Sequence, residues 1–338
     1  MSKSIVNGLK TVLFLSIGIG LMYWAFYKMD MQQVLTSLKK AHYSWVFLAF
    51  ICGVLSHLSR AIRWRYLLTP MGYTIPVIRS FYAVMSGYLM NFIVPRLGEV
   101  SRCALINRTD KIPFEKLVGT VVIERVVDLI ITAIISLAIL VTQYDLLQNF
   151  IAQLLGKSAA GTQTLLLLGA LGVIGLLGLY LVLKFRTKLS HIALFKKAYT
   201  LWDGVLDGLK SITQLKNPWS FVFHSLFIWT MYFMMSWLIF YSLDGTAHLG
   251  ISAGLTVLLA GTLAIIIPVP GGVGTYHTIV PAALLLYGIN ELDGKTYAII
   301  GHSTQMLMIF IVGGISLILG GMAAKKNITI IPINESNE

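Results

Sequence analysis

Two interruptions in otherwise apolar sequence decide the fold: residues 91–102 read NFIVPRLGEVSR, and residues 264–276 read AIIIPVPGGVGTY. Both place proline and glycine where a helix would otherwise continue. Proline removes a backbone donor and clashes with the preceding turn, and glycine favours non-helical backbone. Inside a bilayer, broken backbone survives only where it is buried in protein or lines a wet cavity. The sequence therefore predicts two re-entrant hairpins, each leaving the bilayer on the side from which it entered.

The composition around these interruptions is that of a polytopic membrane protein. Of 338 residues, 57% are hydrophobic and 12% are charged, and the mean hydropathy is +0.79. A soluble domain carries about 25% charged residues. The apolar runs here reach the roughly 20 residues that a helix needs to cross a hydrocarbon core. These properties predict an all-α membrane protein and exclude a soluble enzyme.

The placement of charge indicates the topology. If both interrupted regions are re-entrant, six helices remain to span the bilayer fully. With the N-terminus in the cytoplasm, 20 lysines and arginines lie inside and five outside, with Arg125 in a span, which obeys the positive-inside rule. The first apolar run lacks a small-residue cleavage site, so we expect it to remain as a span. We expect a multi-pass protein of the plasma (inner) membrane, both termini cytoplasmic, with full spans at 9–27, 44–68, 117–142, 163–184, 219–242 and 297–322.

These segments form two similar halves, 9–142 and 163–322, within a single membrane domain, 1–338. Three residues recur 173 positions later: Pro95, Gly98 and Val100 correspond to Pro268, Gly271 and Val273. Because each half contains three full spans, the first half ends on the opposite side of the membrane from its start. The second half therefore enters the membrane from that opposite side. This pattern predicts an inverted-topology repeat with its binding site near the midplane. Between the halves, residues 185–217 are typical of an amphipathic connector on the cytoplasmic surface.

Several site classes are not predicted. The net charge of +12 fits basic cytoplasmic loops rather than nucleic-acid binding. Two cysteines and seven scattered histidines give no disulfide framework and no metal-ligand spacing, so no metal and no cofactor are predicted. The sequence shows no Ser/His/Asp or Cys/His set and no nucleotide-binding motif. We therefore assign no catalytic residue.

The first interruption carries charged residues that suit a phosphate. Arg96, Glu99 and Arg102 lie where the first hairpin breaks, and charge at membrane depth is expensive and usually functional. Arginine offers a planar fork that matches phosphate. Glu99 could pair with either arginine and give way to a ligand. The alternative is that both arginines merely flank the hairpin at the membrane interface.

A second charged group lies inside the span 117–142. Glu124 and Asp128 are four residues apart and share a helix face, whereas Arg125 lies about 100 degrees round the helix and need not point the same way. Three charges in five residues must face the protein interior or water. Two roles stay open: proton coupling, or a structural ion pair with the hairpin arginines.

The second interruption is uncharged and rich in flexible backbone. Its unwound segment could cradle an anionic or polar head group, and the candidate residues there are Pro268, Gly271, Gly272, Gly274 and Tyr276. Arg63 is a further candidate for a lipid phosphate. It lies with Arg60, Trp64, Arg65 and Tyr66 at the end of the second span, a cluster typical of interfacial anchoring.

Four segments together resemble a known family: SRAIRWRYLL, NFIVPRLGEVSRCALINR, GTVVIERVVDLI and PVPGGVGTYHTIVPAALLLYGI. They are similar to the transmembrane region of the lysylphosphatidylglycerol synthase/flippase family, over about residues 9–325. The resemblance implies that the chain translocates or handles lipids, notably aminoacylated phosphatidylglycerol. The family's full-length resistance factor has an aminoacyltransferase domain after this region. We expect a stand-alone member without that domain, and therefore not an enzyme.

These observations favour a flippase- or scramblase-like transporter that moves an anionic or head-group-modified lipid between leaflets. Its expected partners are membrane lipids, including aminoacylated phospholipid or glycolipid. Three alternatives stay open: a membrane-embedded enzyme acting on lipid-linked substrates, a non-catalytic partner of a lipid-modifying synthase, and a transporter of small ions or solutes. The sequence does not indicate an oligomeric state.

Overall fold

The computed structural model describes residues 16–27, 29–94, 96–146, 148 and 215–328. Apart from two short 3-10 turns, all regular structure within these ranges is α-helical, which confirms the predicted all-α class. The helices are α1 (Ser16–Phe26), α2 (Met31–Lys40), α3 (Tyr43–Leu68), α4 (Val77–Ile93), α5 (Leu97–Asp110), α6 (Phe114–Thr142), α7 (Pro218–Phe240), α8 (Ile251–Ile266), α9 (Thr275–Leu285) and α10 (Glu291–Ile328).

Four helices in the described part of the chain are long and apolar enough to cross a membrane. They coincide with four of the six predicted full spans. The predicted span 9–27 is described from residue 16, as the shorter apolar helix α1. The span 163–184, and the connector 185–217 up to residue 214, lie outside the described residues. The four helices are Tyr43–Met71, Phe114–Thr142, Pro218–Phe240 and Glu291–Ala324.

The chain forms two compact units, residues 1–124 with 214–338, and residues 125–213. The described part of the second unit is the continuation of α6 and the few residues after it. The first unit includes α3, α4, α5, α7, α8, α9 and α10, which pack against one another. The predicted division into halves 9–142 and 163–322 stays a prediction.

The first interruption forms a hairpin of two antiparallel helices, α4 and α5. At its closed end Gly87 and Gly98 meet backbone to backbone, since a Cβ on either glycine would overlap the other's carbonyl oxygen. At its open end an ion pair of 2.5 Å joins Arg79 to Asp110. The turn between the helices is sharp because Arg96 adopts left-handed backbone, with φ of 67°.

The second interruption also forms an antiparallel hairpin, from α8 and α9. Near its closed end the Thr275 hydroxyl donates to the Ala264 carbonyl at 2.9 Å. Near its open end the hydroxyls of Thr256 and Tyr287 lie 2.7 Å apart. Its turn is longer than that of the first hairpin and contains the 3-10 turn Pro270–Gly272.

The closed ends of the two hairpins meet. A Cβ on Gly271 would overlap the ring of Phe92 from α4, and the same ring packs on Phe310 of α10 at 5.0 Å between centroids. Gly271 has φ of 62°, a conformation that glycine adopts without steric cost. The second turn therefore needs glycine both for its backbone and for this close contact.

Helices α3 and α7 form an antiparallel pair along their length. Arg63, near the end of α3, bonds Ser225 near the start of α7 at 3.3 Å. Trp45, near the start of α3, lies 5.0 Å from Tyr241, just after α7, between ring centroids. Beside this pair, a cluster of buried apolar residues fills the space between α3, α7 and the second hairpin, and includes Ala49, Phe240, Val257, Val280 and Tyr297.

We expect Gly98→Ala to destabilise the protein because the new methyl group would force α4 and α5 apart. Overpacking of this kind costs typically about 1–3 kcal/mol, which should appear as a lower midpoint temperature of thermal unfolding in detergent. Gly119→Ala is the matched control: a Cβ there meets open space, and alanine is the better helix former. An unchanged midpoint for Gly98→Ala would contradict the close packing of the hairpin.

Candidate functional site

Three charged side chains from three helices meet in the protein interior. Arg102 of α5 donates to Glu124 of α6, with 2.5 Å between Nη2 and Oε2. Arg63 of α3 lies on the other carboxylate oxygen, with Nη2 3.6 Å from Oε1. The side chains of Arg63 and Glu124 are fully buried, and that of Arg102 is 6% exposed. One carboxylate therefore serves two arginines.

Neighbouring side chains fix the orientation of the two arginines. The guanidinium of Arg102 lies 4.7 Å from the centroid of the buried Trp64 ring, at a distance typical of a cation–π contact. The indole N–H of Trp64 in turn donates to Thr120 at 2.7 Å. Arg63 donates to Ser225 of α7 at 3.3 Å. The first hairpin, α3, α6 and α7 thus all contribute to one site.

A further arginine is buried close to this site in the sequence. Arg60, one helical turn before Arg63, is also buried, with 4% exposure. Glu124 is fully buried and Glu99 is half-buried. The Nε of Arg102 is buried and has no hydrogen-bond partner among the described residues. Such a donor, beside a second buried arginine, suits a bound anion.

The remaining residues predicted for the first interruption are placed differently. Arg96 is exposed at the turn between α4 and α5, and none of the ion pairs found among the described residues includes it. Glu99 lies in the first turn of α5 and is half-buried. Pro95 lies outside the described residues. The structure therefore joins Arg102 to Arg63 and Glu124, and leaves Arg96 at the tip.

In the second compact unit, Arg125 and Asp128 lie one helical turn apart on α6. Arg125 Nη1 is 3.9 Å from Asp128 Oδ2, and the two side chains are 51% and 11% exposed. Asp128 is thus largely buried, as expected, while Arg125 is not. Their predicted role in charge balance or proton coupling stays a prediction.

The tip of the second hairpin is a packed, uncharged region. His302 of α10 lies with Nε2 2.8 Å from the carbonyl oxygen of Gly271, and the buried Tyr276 ring stacks on it with centroids 5.0 Å apart. Gly274, with φ of 83°, leaves no room for a Cβ beside α1. The remaining two candidates, Pro268 and Gly272, lie in the same turn.

Sequence reasoning underestimated the end of the second span. It described Arg60 and Trp64, like Arg63, as typical of interfacial anchors, but all three are buried and Trp64 is fully so. Only the neighbours Arg65 and Tyr66 are partly exposed. Their spacing could have shown that they are buried together, because residues three and four positions apart share one helix face. Thr120 and Ser225 carry no such signal, since their partners are remote in sequence.

We expect Glu124→Gln to destabilise the protein strongly, because it leaves two buried guanidinium groups facing each other. Removing one partner of a buried ion pair costs about 3–5 kcal/mol, measurable as a lower midpoint of thermal unfolding. Glu291→Gln is the matched control, since Glu291 pairs with Lys295 while 69% exposed; exposed pairs contribute at most about 1 kcal/mol. Equal effects of the two substitutions would show that the shared carboxylate has no special importance.

Comparison with known proteins shows the family of this chain. The sequence model described as "Lysylphosphatidylglycerol synthase TM region" matches residues 11–313, a range that contains both hairpins and the buried arginines. A UPF0104 membrane protein of Methanocaldococcus jannaschii is 24% identical over 296 residues, which are 81% of this chain and 84% of the relative. This integral membrane protein therefore belongs to the family of the lysylphosphatidylglycerol synthase transmembrane region.

Proposed function

We propose that the protein is a flippase- or scramblase-like transporter, which moves a lipid with an anionic or modified phosphate head group between the leaflets. The observation that carries this proposal is the buried cluster of Arg63, Arg102 and Glu124. In the empty site Glu124 neutralises part of the arginine charge. An incoming phosphate can take over one or both arginines, because guanidinium binds phosphate and carboxylate with the same geometry.

The arrangement of the helices supports an inverted-topology repeat. The second half repeats the order of the first, a long helix, a two-helix hairpin and another long helix, with α3 corresponding to α7 and α6 to α10. The first helices of the two hairpins, Val77–Ile93 and Ile251–Ile266, begin 174 residues apart and end 173 residues apart. The corresponding helices α3 and α7 run antiparallel. Counterparts related by an axis along the membrane normal would run in the same direction.

The lengths of the hairpin helices support re-entrant segments. The four helices have 17, 14, 16 and 11 residues, below the roughly 20 residues that span a hydrocarbon core. Hairpins that enter from opposite sides and stop near the midplane would meet tip to tip, as Phe92 and Gly271 do. We propose the topology derived from charge, with six full spans in the plasma membrane and both termini cytoplasmic.

We further propose a transport function rather than catalysis. Glu124 is engaged by two arginines, so it is a poor donor or acceptor of protons for a reaction on lipid. The buried guanidinium groups of Arg63 and Arg102 favour binding of a phosphate, whether in a phospholipid, its aminoacylated form or a phosphate-linked glycolipid. A separate lipid-modifying enzyme would be the source of a modified head group.

The direct experiment measures translocation of fluorescent phosphatidylglycerol and its lysylated form in proteoliposomes, with and without a proton gradient. We expect Arg102→Gln to slow translocation about tenfold to a hundredfold, as for loss of a hydrogen bond between charged groups. Arg63 remains to neutralise Glu124, so the fold should survive. Arg108→Gln, an exposed arginine on the same helix, is the matched control.

Each outcome has a definite meaning. Movement that needs Arg102 but not Arg108 supports the proposal, and its response to the gradient decides the coupling. Arg96→Ala in the same assay decides whether the arginine at the hairpin tip takes part. If folded wild-type protein moves no lipid, the transporter proposal is wrong, and the enzyme and partner alternatives gain weight.

Binding can be measured separately from movement. A ligand that binds only the folded state raises the midpoint of thermal unfolding. We expect short-chain dihexanoyl phosphatidylglycerol to raise the midpoint of the wild-type protein in detergent, and to have a much smaller effect on Arg102→Gln. Equal stabilisation of both proteins would exclude Arg102 as a head-group ligand.

A further inference from the structure

A line of buried polar side chains continues from the arginine cluster toward the middle of α3. His57, Arg60 and Arg63 follow one another at intervals of three residues, with 2%, 4% and 0% exposure. Residues at this spacing are neighbours on the helix surface. His57 is close to the centre of the 26-residue helix, about 9 Å along the axis from Arg63 at the helical rise per residue.

Two tyrosines from other helices complete the far end of this line. The ring of His57 lies 4.3 Å from that of Tyr88 on α4 and 6.1 Å from that of Tyr232 on α7, between centroids. The Tyr232 hydroxyl accepts from Arg60 at 3.3 Å and is 3.4 Å from the Tyr88 hydroxyl. Arg60 therefore lies between the arginine cluster and this aromatic group.

The Nδ1 of His57 is buried and has no hydrogen-bond partner among the described residues. Leaving a buried polar atom unsatisfied costs free energy, so the presence of His57 inside the helix bundle needs a reason. Beyond His57 the polar line ends: a Cβ on Gly53 would meet the sulfurs of Met235 and Met308, and Ala49 belongs to the apolar cluster beside the second hairpin.

From this geometry we propose that His57, Tyr88 and Tyr232 form a second, deeper binding position for the phosphate-bearing head group. The proposal rests on the transport function proposed above, and it adds the route that the head group takes through the protein. The head group first binds Arg63 and Arg102, then passes Arg60, and reaches the imidazole and the two phenol hydroxyls, which all can donate to phosphate. Tyr88 belongs to the first hairpin, so displacement of that hairpin would make room at this position.

The test separates binding at the first position from passage to the second. We expect His57→Leu to keep the stabilisation by dihexanoyl phosphatidylglycerol, because Arg63 and Arg102 are intact. Translocation of fluorescent phosphatidylglycerol should slow about tenfold or more, as for one lost hydrogen bond to a charged group. His57→Gln, which retains hydrogen-bonding groups, should recover part of the rate.

His248→Leu is the control. His248 is an exposed histidine in the loop after α7, away from the polar line on α3, so the rate should stay within about twofold of wild type. If His57→Leu fails to fold, Tyr232→Phe removes a single hydroxyl from the same position and should also slow movement. Wild-type rates in both His57→Leu and Tyr232→Phe would overturn the deeper position and leave the transport proposal standing.

Uptake of labelled inorganic phosphate into the same vesicles distinguishes a lipid head group from a free anion. Lipid movement without phosphate uptake supports the proposal as stated. Phosphate uptake without lipid movement, or no movement of any lipid by the folded wild type, would overturn both the transport proposal and the deeper position.

Discussion

The shared carboxylate of Glu124 is the interaction on which the rest of the first compact unit depends. Two guanidinium groups buried among apolar helices would be prohibitively expensive without it. Because Arg63, Arg102 and Glu124 come from three different helices, their pairing also fixes where α3, the first hairpin and α6 lie against one another. Trp64 contributes to the same arrangement by packing on Arg102 and bonding Thr120.

The buried contacts around the two hairpins of this unit differ in chemistry. Around the first hairpin the buried contacts are ionic and hydrogen-bonded, and they use arginine, glutamate and serine. Around the second hairpin they are uncharged: Tyr276 stacks on His302, Phe240 lies beside Tyr297, and the Thr275 hydroxyl bonds a backbone carbonyl. The charged side chains are thus concentrated beside one hairpin, and the apolar cluster beside the other.

The sequence was informative where the signal is local. The interruptions at 91–102 and 264–276 correctly predicted two helix breaks, and apolar run lengths predicted four of the long helices within a few residues. The candidate site was only partly predictable. Arg63, Arg102 and Glu124 were each singled out, and an ion pair of Glu124 with a hairpin arginine was one of the two roles left open. Which side chains meet depends on packing between helices distant in sequence. Thr120 and Ser225 were missed for that reason, and the charge of Arg96 alone could not show that it lies exposed at a tip.

The contact between the hairpin tips has a thermodynamic consequence. Phe92 of one hairpin fills the space that only a glycine at position 271 leaves open in the other, so neither tip can shift without changing the surroundings of its neighbour. The positions of the two hairpin tips are therefore coupled, and thermodynamic linkage requires each tip to influence the other equally. Any displacement of the first tip would therefore be transmitted to the second, and a substitution at Gly271 would change the freedom of the first hairpin as well as its own.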